Sequence, residues 1–346
     1  EINWHILYDR TPEEPHIYPG AKCHIIRPAA RHPWIWKLWN EWLVPKKLIE
    51  LDASIYWSPD GLLPSRKSLN GKQIKLITTI HDLNFVHRPH EIPKIVGNYY
   101  RKVCKRSALD ADKILTVSNT TKQDIVSTYF IDEKDVGITY NAPQEDFSPL
   151  TDEQIKVAQH KFGKGNPYFC FLGAFTPRKN LKTLVQAFNK WCLLNPGNHH
   201  RLVIGGRPLH KDEELNTALR NGSNRIILPG FIPRNELNNF FGGASAFVFP
   251  SYFEGFGIPL IEAMASNCLV LSSNSSCMPE IANDAAHYSR PENIEDWILA
   301  LNFAIQDIQK VDSLKRKGLE RAKHFKWSTS ADQVWKSFKE ILPDEF

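Results

Sequence analysis

The sequence lacks the features that mark a membrane-spanning, disulfide-stabilised or zinc-binding chain. No apolar run approaches the roughly 20 residues that cross a bilayer, and no secretory signal peptide is recognised. The six cysteines are scattered, with no CxxC pair among them. We therefore expect no disulfide framework and no zinc site, and reduced thiols in the cytosol are the simpler interpretation.

Strong charge of one sign is also absent. Lys and Arg total 43 against 38 Asp and Glu, a formal excess of +5, which is too small to indicate nucleic-acid binding. No internal repeat and no low-complexity tract is found, which argues against a solenoid or a disordered chain. At 346 residues and 42% hydrophobic content, the chain has ordinary globular composition and is long enough for two domains.

Short apolar runs alternate with amphipathic helical stretches along the chain. Such continuous β-branched or aromatic runs are typical of strands that are buried on both faces of a parallel sheet. The predicted strands span residues 74–80, 113–117, 168–175, 201–205, 225–228, 246–250 and 268–272. Between them, Asn180 is positioned to cap a helix over 181–194. This alternation predicts a doubly wound α/β architecture.

One loop with two glycines follows a predicted buried strand. The strand is expected to end at Pro250, and Pro259 suits the first turn of a helix that starts near Ile258. Gly255 and Gly257 allow the backbone to turn sharply and to approach a ligand closely. The amides at the start of the helix would attract an anion, most simply a phosphate.

Two carboxylates flank this loop. Glu254 lies in the loop itself, and Glu262 lies in the first or second turn of the helix. Open α/β sheets bind ligands at the carboxyl ends of their strands, so both carboxylates are candidate ligand contacts. The alternative is an ordinary strand–turn–helix unit with one capping and one solvated glutamate, and the paired glycines disfavour it.

Two further strand ends carry candidate functional residues. After the strand that begins at Tyr168, Arg178 and Lys179 lie beside a helix start, where fixed cations can neutralise a diphosphate leaving group; alternatively they are solvent-facing loop charges. His81 follows another apolar strand and could orient a substrate hydroxyl. A lone histidine at a strand end is more often structural.

Taken together, these segments resemble the retaining glycosyltransferases of family 4. The matching pieces are His81-Asp82, the Gly173…Pro177-Arg178-Lys179-Asn180 turn, Pro229-Gly230-Phe231-Ile232, Glu254…Glu262 and Phe325-Lys326-Trp327-Ser328…Ala331. The resemblance covers most of the chain and is strongest to bacterial enzymes of surface-polysaccharide and lipopolysaccharide synthesis, mannosyltransferases among them. It implies the GT-B fold, an α/β architecture of two facing Rossmann-like domains with parallel sheets and a cleft between them.

The resemblance also implies a domain plan. Residues 1–150 would form the acceptor-side domain, and residues 151–325 would form the domain that binds the nucleotide sugar. Residues 326–346 would form a helix that crosses back to the first domain. The family's usual first strand and Gly-rich loop are missing before Glu1, so we expect the first domain to be truncated at its start.

The resemblance assigns a role to each candidate residue. Arg178 and Lys179 would contact the donor diphosphate, and Glu254 the hydroxyls of the donor sugar. Glu262 would bind the ribose, and His81 would orient the donor sugar near its anomeric carbon. The remaining donor-binding positions are mostly backbone contacts to base, sugar and phosphate: Gly173, Ile232, Gly255, Phe256, Gly257 and Ile258.

The implied reaction is metal-independent transfer of a hexose, mannose among the candidates, with retention of configuration. GDP-mannose or a UDP-sugar would be the donor, with no further cofactor, and a glycan or lipid-linked molecule the acceptor. Two alternatives stay open: a nucleotide-sugar epimerase on the same fold, and a catalytically inactive protein that binds nucleotide sugars.

A tryptophan-rich segment allows a separate hypothesis about location. Trp34, Trp36, Trp39 and Trp42 lie close to Arg31, Lys37, Lys46 and Lys47, as in segments that lie on a membrane surface. With a lipid-linked acceptor, this pattern predicts a cytoplasmic protein in peripheral contact with the inner face of the membrane. The alternative is that Trp36 and Trp39 pack on the first domain at helical spacing.

Overall fold

The computed structural model describes residues 2–12, 20–208, 212–220, 222 and 224–342 of the chain. These residues form two compact units. The first unit comprises the described residues of Glu1–Thr116, Lys122–Ile138 and Gln333–Phe346, and the second comprises Val117–Thr121 and Thr139–Asp332. Each unit has its own parallel sheet and its own hydrophobic core.

The first unit contains one small and one larger parallel sheet. Its strands are β1 (Trp4–Tyr8), β2 (Ala21–Ile25), β3 (Ile55–Ser58), β4 (Lys75–Ile80), β5 (Lys113–Thr116) and β6 (Val136–Ile138). β1 pairs with β2, and the other four lie in the order β3-β4-β5-β6. The accompanying helices are α1 (Pro33–Leu38), α2 (Val44–Glu50), α3 (Asn84–His87), α4 (Lys94–Asp110) and α5 (Asn119–Tyr129), with a π-helical turn, Trp39–Leu43, between α1 and α2.

The second unit is built on a six-stranded parallel sheet. Its strands are β7 (Tyr168–Leu172), β8 (Arg201–Gly205), β9 (Ile226–Gly230), β10 (Ala246–Phe249), β11 (Val270–Ser273) and β12 (Ala286–Ser289), in the order β12-β11-β10-β7-β8-β9. Its helices are α6 (Asp152–Gly163), α7 (Leu181–Leu194), α8 (Glu213–Arg220), α9 (Leu237–Gly242), α10 (Ile258–Ala265), α11 (Met278–Ala282), α12 (Ile294–Gln306) and α13 (Ile308–Ala322).

The last helix, α14 (Trp327–Ile341), begins in the second unit and ends in the first. In the first unit its Phe338 is buried against Ile77 of β4 and Leu115 of β5. The ring of Phe338 also lies 6.1 Å from that of Trp4 and from that of Trp57. The apolar face of α14 thus covers one side of the first unit's sheet.

The central strands are apolar throughout because both faces of the sheet are covered. Along β7, Tyr168 and Cys170 belong to one core cluster, whereas Phe169 and Phe171 belong to the cluster on the opposite face. All four side chains are fully buried, as expected where helices cover both sides of a parallel sheet. The prediction of an α/β fold with parallel sheets is confirmed, and a strand is present at each predicted position.

The predicted capping role of Asn180 is wrong. Its backbone has φ +55°, and its side chain makes no capping hydrogen bond to α7. Its Nδ2 instead donates to the carbonyls of Pro250 (3.0 Å) and Pro291 (2.6 Å), while its Oδ1 accepts from the hydroxyl of Thr183. Asn180 therefore ties the turn before α7 to the end of β10.

Candidate active site

The predicted donor-site residues of the second unit follow the ends of β7, β9 and β10, apart from Glu262, which lies in α10. The turn Pro177–Lys179 follows β7, and a glycine-containing loop leads from β10 to α10. The two segments are joined directly, since the amide of Tyr252 donates to the carbonyl of Arg178 over 2.8 Å. Parallel strands present their carboxyl ends at one edge, where open α/β sheets bind ligands.

A buried carboxylate clamped by two cations lies at the centre of this edge. Glu254 is 6% exposed. Its Oε2 lies 2.5 Å from Nη1 of Arg178, and its Oε1 lies 2.6 Å from Nζ of Lys179. Nη1 of Arg178 also donates to the carbonyl of Phe253 over 3.1 Å. The structure therefore brings together three of the charged residues that were predicted to act on the donor.

The charges of this cluster stabilise one another. Burial acts to raise the pKa of Glu254, but attraction to Lys179 and Arg178 outweighs it and holds that pKa below its ordinary value. Burial lowers the pKa of Lys179, and attraction to Glu254 opposes the change. With all three groups ionised, the cluster carries one surplus positive charge in a partly desolvated setting, where a fixed charge acts more strongly than in water.

Packing fixes the position of Lys179. Its ammonium lies over the ring of Phe249, 4.8 Å from the centroid, a cation–π contact. The site of a Cβ on Gly173 would be 3.5 Å from Cε of Lys179. A Cβ on Gly206 would be only 1.9 Å from the carbonyl oxygen of Gly173. Glycine at position 206 therefore allows the ends of β7 and β8 to approach closely beneath the lysine.

The loop before α10 is held by backbone contacts. Ser276 donates from its hydroxyl to the carbonyl of Glu254 over 2.7 Å. Gly257 has φ +88° at the N-terminus of α10, where no side chain caps the helix. Phe256 is buried, with its ring 5.5 Å from that of Phe325, and the neighbouring Ile258 is partly exposed. No side chain therefore caps the start of α10. Because Pro259 has no N–H and the amide of Leu260 donates to the carbonyl of Gly257 over 2.9 Å, Ile258 supplies the first amide of the helix.

Glu262 has a different environment from Glu254. It is 9% exposed, and burial raises its pKa to about 7; Arg234 lowers that pKa and Asp146 raises it by their charges. Arg234 donates from Nε to the side-chain carbonyl of Gln144. Glu262 therefore changes its charge close to neutral pH.

Ile232, predicted to lie at the nucleobase pocket, is buried just after the end of β9 in the second unit. It lies two residues before Arg234, which acts on Glu262 through its charge. A Cβ at Gly205, the last residue of β8, would lie 2.8 Å from Cγ1 of Ile232. Ile232 therefore packs on the end of β8, next to the glycine that contacts Gly173.

His81 belongs to the first unit, just after β4. Its Nε2 lies 2.9 Å from the carbonyl oxygen of Pro59. Because a carbonyl only accepts, Nε2 carries the proton in this hydrogen bond. The imidazole is exposed, and this hydrogen bond lies within the first unit.

Sequence reasoning missed several residues of this site. Gly206, Ser276 and Arg234 each touch or influence a predicted residue, yet none of them was predicted. For two of them a signal existed: Gly206 is the second of two consecutive glycines at the end of a predicted strand, and Arg234 lies two residues after the Pro229–Ile232 motif. Ser276 gave none, since its contact with Glu254 joins two separate loops.

In the part of the chain that the structure describes, no group of three or more His, Cys, Asp or Glu side chains is arranged to hold a metal ion. No helix among the described residues has the length and apolar character needed to cross a bilayer. All six cysteines lie in the described residues; none of them forms a disulfide, and five of them are buried.

Two family models match the chain. The model described as "Glycosyl transferases group 1" matches residues 152–321, and the model described as "Glycosyltransferase Family 4" matches residues 3–143. The first match contains every predicted donor-site residue from Gly173 to Glu262. The second contains His81.

Two bacterial proteins are similar over most of the chain. O-antigen chain mannosyltransferase B of Escherichia coli is 27% identical over 288 residues, which span 82% of this chain and 74% of that protein. O-antigen chain mannosyltransferase RfbU of Salmonella typhimurium is 25% identical over 305 residues, which span 86% of this chain and 77% of that protein.

A solved structure shares the fold. The crystal structure of Anabaena Alr3699/HepE in complex with UDP and glucose matches with a TM-score of 0.72 at 14% identity, over 92% of this chain and 86% of that chain. Both family models and the similar proteins identify the chain as a glycosyltransferase, and its fold agrees with that identification. The chain belongs to glycosyltransferase family 4, and its two units have the GT-B fold.

Proposed function

We propose that this glycosyltransferase moves a hexose, with mannose favoured, from a nucleotide-diphosphate sugar to a glycan or lipid-linked acceptor in surface-polysaccharide synthesis. The observation that carries the proposal is the clamp of Arg178, Glu254 and Lys179 beside the start of α10. The names of the similar proteins, both O-antigen mannosyltransferases, favour mannose and this acceptor class.

The clamp suits the chemistry of a leaving nucleoside diphosphate. When the bond from sugar to phosphate breaks, negative charge develops on the phosphate oxygen. Arg178 and Lys179 can stabilise that charge without reorganising, because Glu254 and Phe249 already hold them in place. These cations, with the amide of Ile258 at the start of α10, would supply the stabilisation that a metal ion would otherwise give, so we propose metal-independent transfer.

Glu254 would also contact the donor sugar. Each oxygen of a carboxylate has two lone pairs, so each oxygen that pairs with a cation keeps a lone pair for a sugar hydroxyl. Glu262, whose pKa burial raises and the charge of Arg234 lowers, would accept hydrogen bonds from the ribose hydroxyls. Ile232 would lie beside the base. Backbone groups would read the base, so the side chains of this pocket do not indicate whether it is guanine or uracil.

We propose that transfer proceeds with retention through attack on the same face of the sugar. The leaving phosphate would take the proton of the acceptor hydroxyl as the new glycosidic bond forms. Glu254 is occupied by two cations, which reduces its nucleophilicity and favours this path over a covalent sugar–enzyme intermediate. His81 would orient the donor sugar.

Calorimetric titration with UDP and GDP tests the diphosphate assignment. Arg178→Ala should weaken binding of the cognate nucleoside diphosphate at least tenfold, since a charge-assisted contact to phosphate is lost. Lys190→Ala is the matched control, because Lys190 forms an exposed ion pair with Glu295 on α12. Equal affinities of the wild-type protein and Arg178→Ala would contradict the assignment.

The same titrations decide the donor class. GDP is the donor product that a mannosyltransferase releases from GDP-mannose, whereas UDP occupies the Anabaena HepE structure. We expect GDP to bind at least tenfold more tightly than UDP. Product analysis with GDP-mannose and an acceptor glycan, reading the configuration at the anomeric carbon by NMR, then tests retention.

A further inference from the structure

Residues 33–50 of the first unit form a continuous helical segment whose tryptophans fall into two classes. Trp36 and Trp39 point inward: their indole nitrogens donate to the carbonyls of Ala30 and Ile26, respectively. The ring of Trp36 also lies 5.4 Å from that of Tyr99 on α4. For these two residues the packing alternative is confirmed.

Trp34 and Trp42 point outward. They are 74% and 70% exposed, and Leu38, midway between them, is 42% exposed. Spacing of four residues places all three on one side of a helix. A monomeric soluble surface seldom exposes large apolar side chains in a continuous row, so this row needs an occupant in at least one functional state.

The charge around the row is mainly positive. Arg31, Lys37 and Lys46 are exposed. The acidic residues of the segment are Glu41 and Glu50, and Glu50 pairs with Lys47 at the C-terminus of α2. Both carboxylate oxygens of Glu41 are turned toward the protein, one 2.5 Å from Nη1 of Arg106 and the other 2.5 Å from the hydroxyl of Ser65. The outward face therefore presents indole rings and cations.

Helix α4 packs beside this segment through Tyr99 and Arg106. Its exposed side chains are also mainly basic and apolar. Lys94, Ile95 and Lys102 of α4 are exposed. The only acidic residue in α4 is Asp110, at its C-terminus. The neighbouring surface thus adds cations and an aliphatic side chain without adding a carboxylate.

We propose that the face formed by Arg31, Trp34, Lys37, Leu38, Trp42 and Lys46, here called the tryptophan face, docks on the surface of an anionic lipid bilayer. Indole rings favour the headgroup level of a membrane, and Lys and Arg side chains are attracted to anionic headgroups. A second copy of the chain fits less well, since a symmetric contact would set the same cations against each other.

This inference goes beyond the proposed transfer and stands on different residues. The donor site lies in the second unit, and the tryptophan face lies in the first. Docking would hold the enzyme at the surface where a lipid-linked acceptor is presented. Failure of one proposal would leave the other intact.

Co-sedimentation of the full chain with vesicles tests the proposal. Vesicles of phosphatidylcholine alone are compared with vesicles of two parts phosphatidylcholine to one part phosphatidylglycerol. We expect binding to the anionic vesicles, with a partition coefficient at least tenfold lower for Trp34→Ala/Trp42→Ala and for Lys37→Glu/Lys46→Glu. Both double variants alter exposed side chains, so the thermal midpoint and calorimetric nucleotide binding should be unchanged.

Trp327→Ala is the matched control, because Trp327 is 52% exposed at the start of α14. It should bind vesicles as the wild type does. The proposal is overturned by absence of wild-type binding to anionic vesicles, or by an equal loss in Trp327→Ala. It is also overturned if light scattering shows self-association that Trp34→Ala/Trp42→Ala abolishes while vesicle binding is unaffected.

Discussion

At the scale of single residues, Glu262 makes the protein sensitive to pH. Its folded-state pKa of about 7 lies above the ordinary value of 4.5 because the side chain is buried. The folded protein therefore holds a proton that the unfolded chain has released between these values. The free energy of unfolding should fall as pH rises from about 4.5 to about 7, by up to about 3 kcal/mol from this group.

Comparison with Glu262→Gln isolates that contribution. Urea denaturation at a series of pH values should show the unfolding free energy of the variant rising relative to that of the wild type between pH 4.5 and about 7. Above that range the difference between their unfolding free energies should be constant. Glu295→Gln, which alters an exposed carboxylate on α12, should show no such window. A pH-independent difference between Glu262→Gln and the wild type would contradict the expectation.

The same residue predicts pH-dependent nucleotide binding. A carboxylate accepts two ribose hydrogen bonds, whereas a protonated carboxyl group accepts fewer. Affinity for the cognate nucleoside diphosphate should therefore rise as pH increases through about 7. Calorimetry at several pH values should show this rise in the wild type and a flatter profile, with weaker binding at high pH, in Glu262→Gln.

Glu254 should contribute to stability as well as to the site. Glu254→Gln keeps the shape but leaves Arg178 and Lys179 without their shared counter-charge, and removal of one partner from a buried ion pair costs about 3 kcal/mol. Lys179→Met/Glu254→Gln should be less destabilised than the sum of its single variants, as measured by urea denaturation. Strict additivity would show that the carboxylate and the ammonium do not interact.

At the scale of elements, the close approach of β7 and β8 depends on Gly206. With φ +133° and the carbonyl oxygen of Gly173 at 1.9 Å from any Cβ, Gly206→Ala must displace the strand end below Lys179. We expect a loss of about 3 kcal/mol in unfolding free energy and weaker nucleotide binding. Gly197→Ala is the control, since a Cβ there meets nothing within 4 Å; it should be near neutral.

Helices and strands could be predicted from the sequence where the burial of their apolar side chains alone determines the secondary structure. The apolar run of β7 and the stripe of α7 identify a strand and a helix, because both are covered on every apolar face. The fate of Asn180 was not predictable, since its left-handed backbone and its bonds to Pro250 and Pro291 arise from segments distant in sequence. The four tryptophans show the same limit, because helical spacing does not tell which side meets α4.

At the scale of the whole molecule, the sequence predicted the α/β fold and the acidic, basic and glycine residues of the donor site. These signals are local: each is a strand end followed by a turn and a helix. The direct pairing of Glu254 with Arg178 and Lys179 was not predicted, because the strands β7 and β10 that bring them together are far apart in the chain. The raised pKa of Glu262 likewise depends on burial that no local pattern encodes.

The division into two units yields a last prediction. The donor-nucleotide residues belong to the second unit and His81 to the first, so nucleotide binding and transfer should be separable. His81→Ala removes a group proposed to orient the sugar, and general acid–base or orienting groups contribute about 10²-fold or more to rate. Turnover should fall by about that factor, while calorimetric affinity for the nucleoside diphosphate stays within about twofold. His87→Ala, which removes an exposed histidine paired with Asp124, should leave turnover unchanged. Loss of nucleotide affinity in His81→Ala would place His81 in the nucleotide site instead.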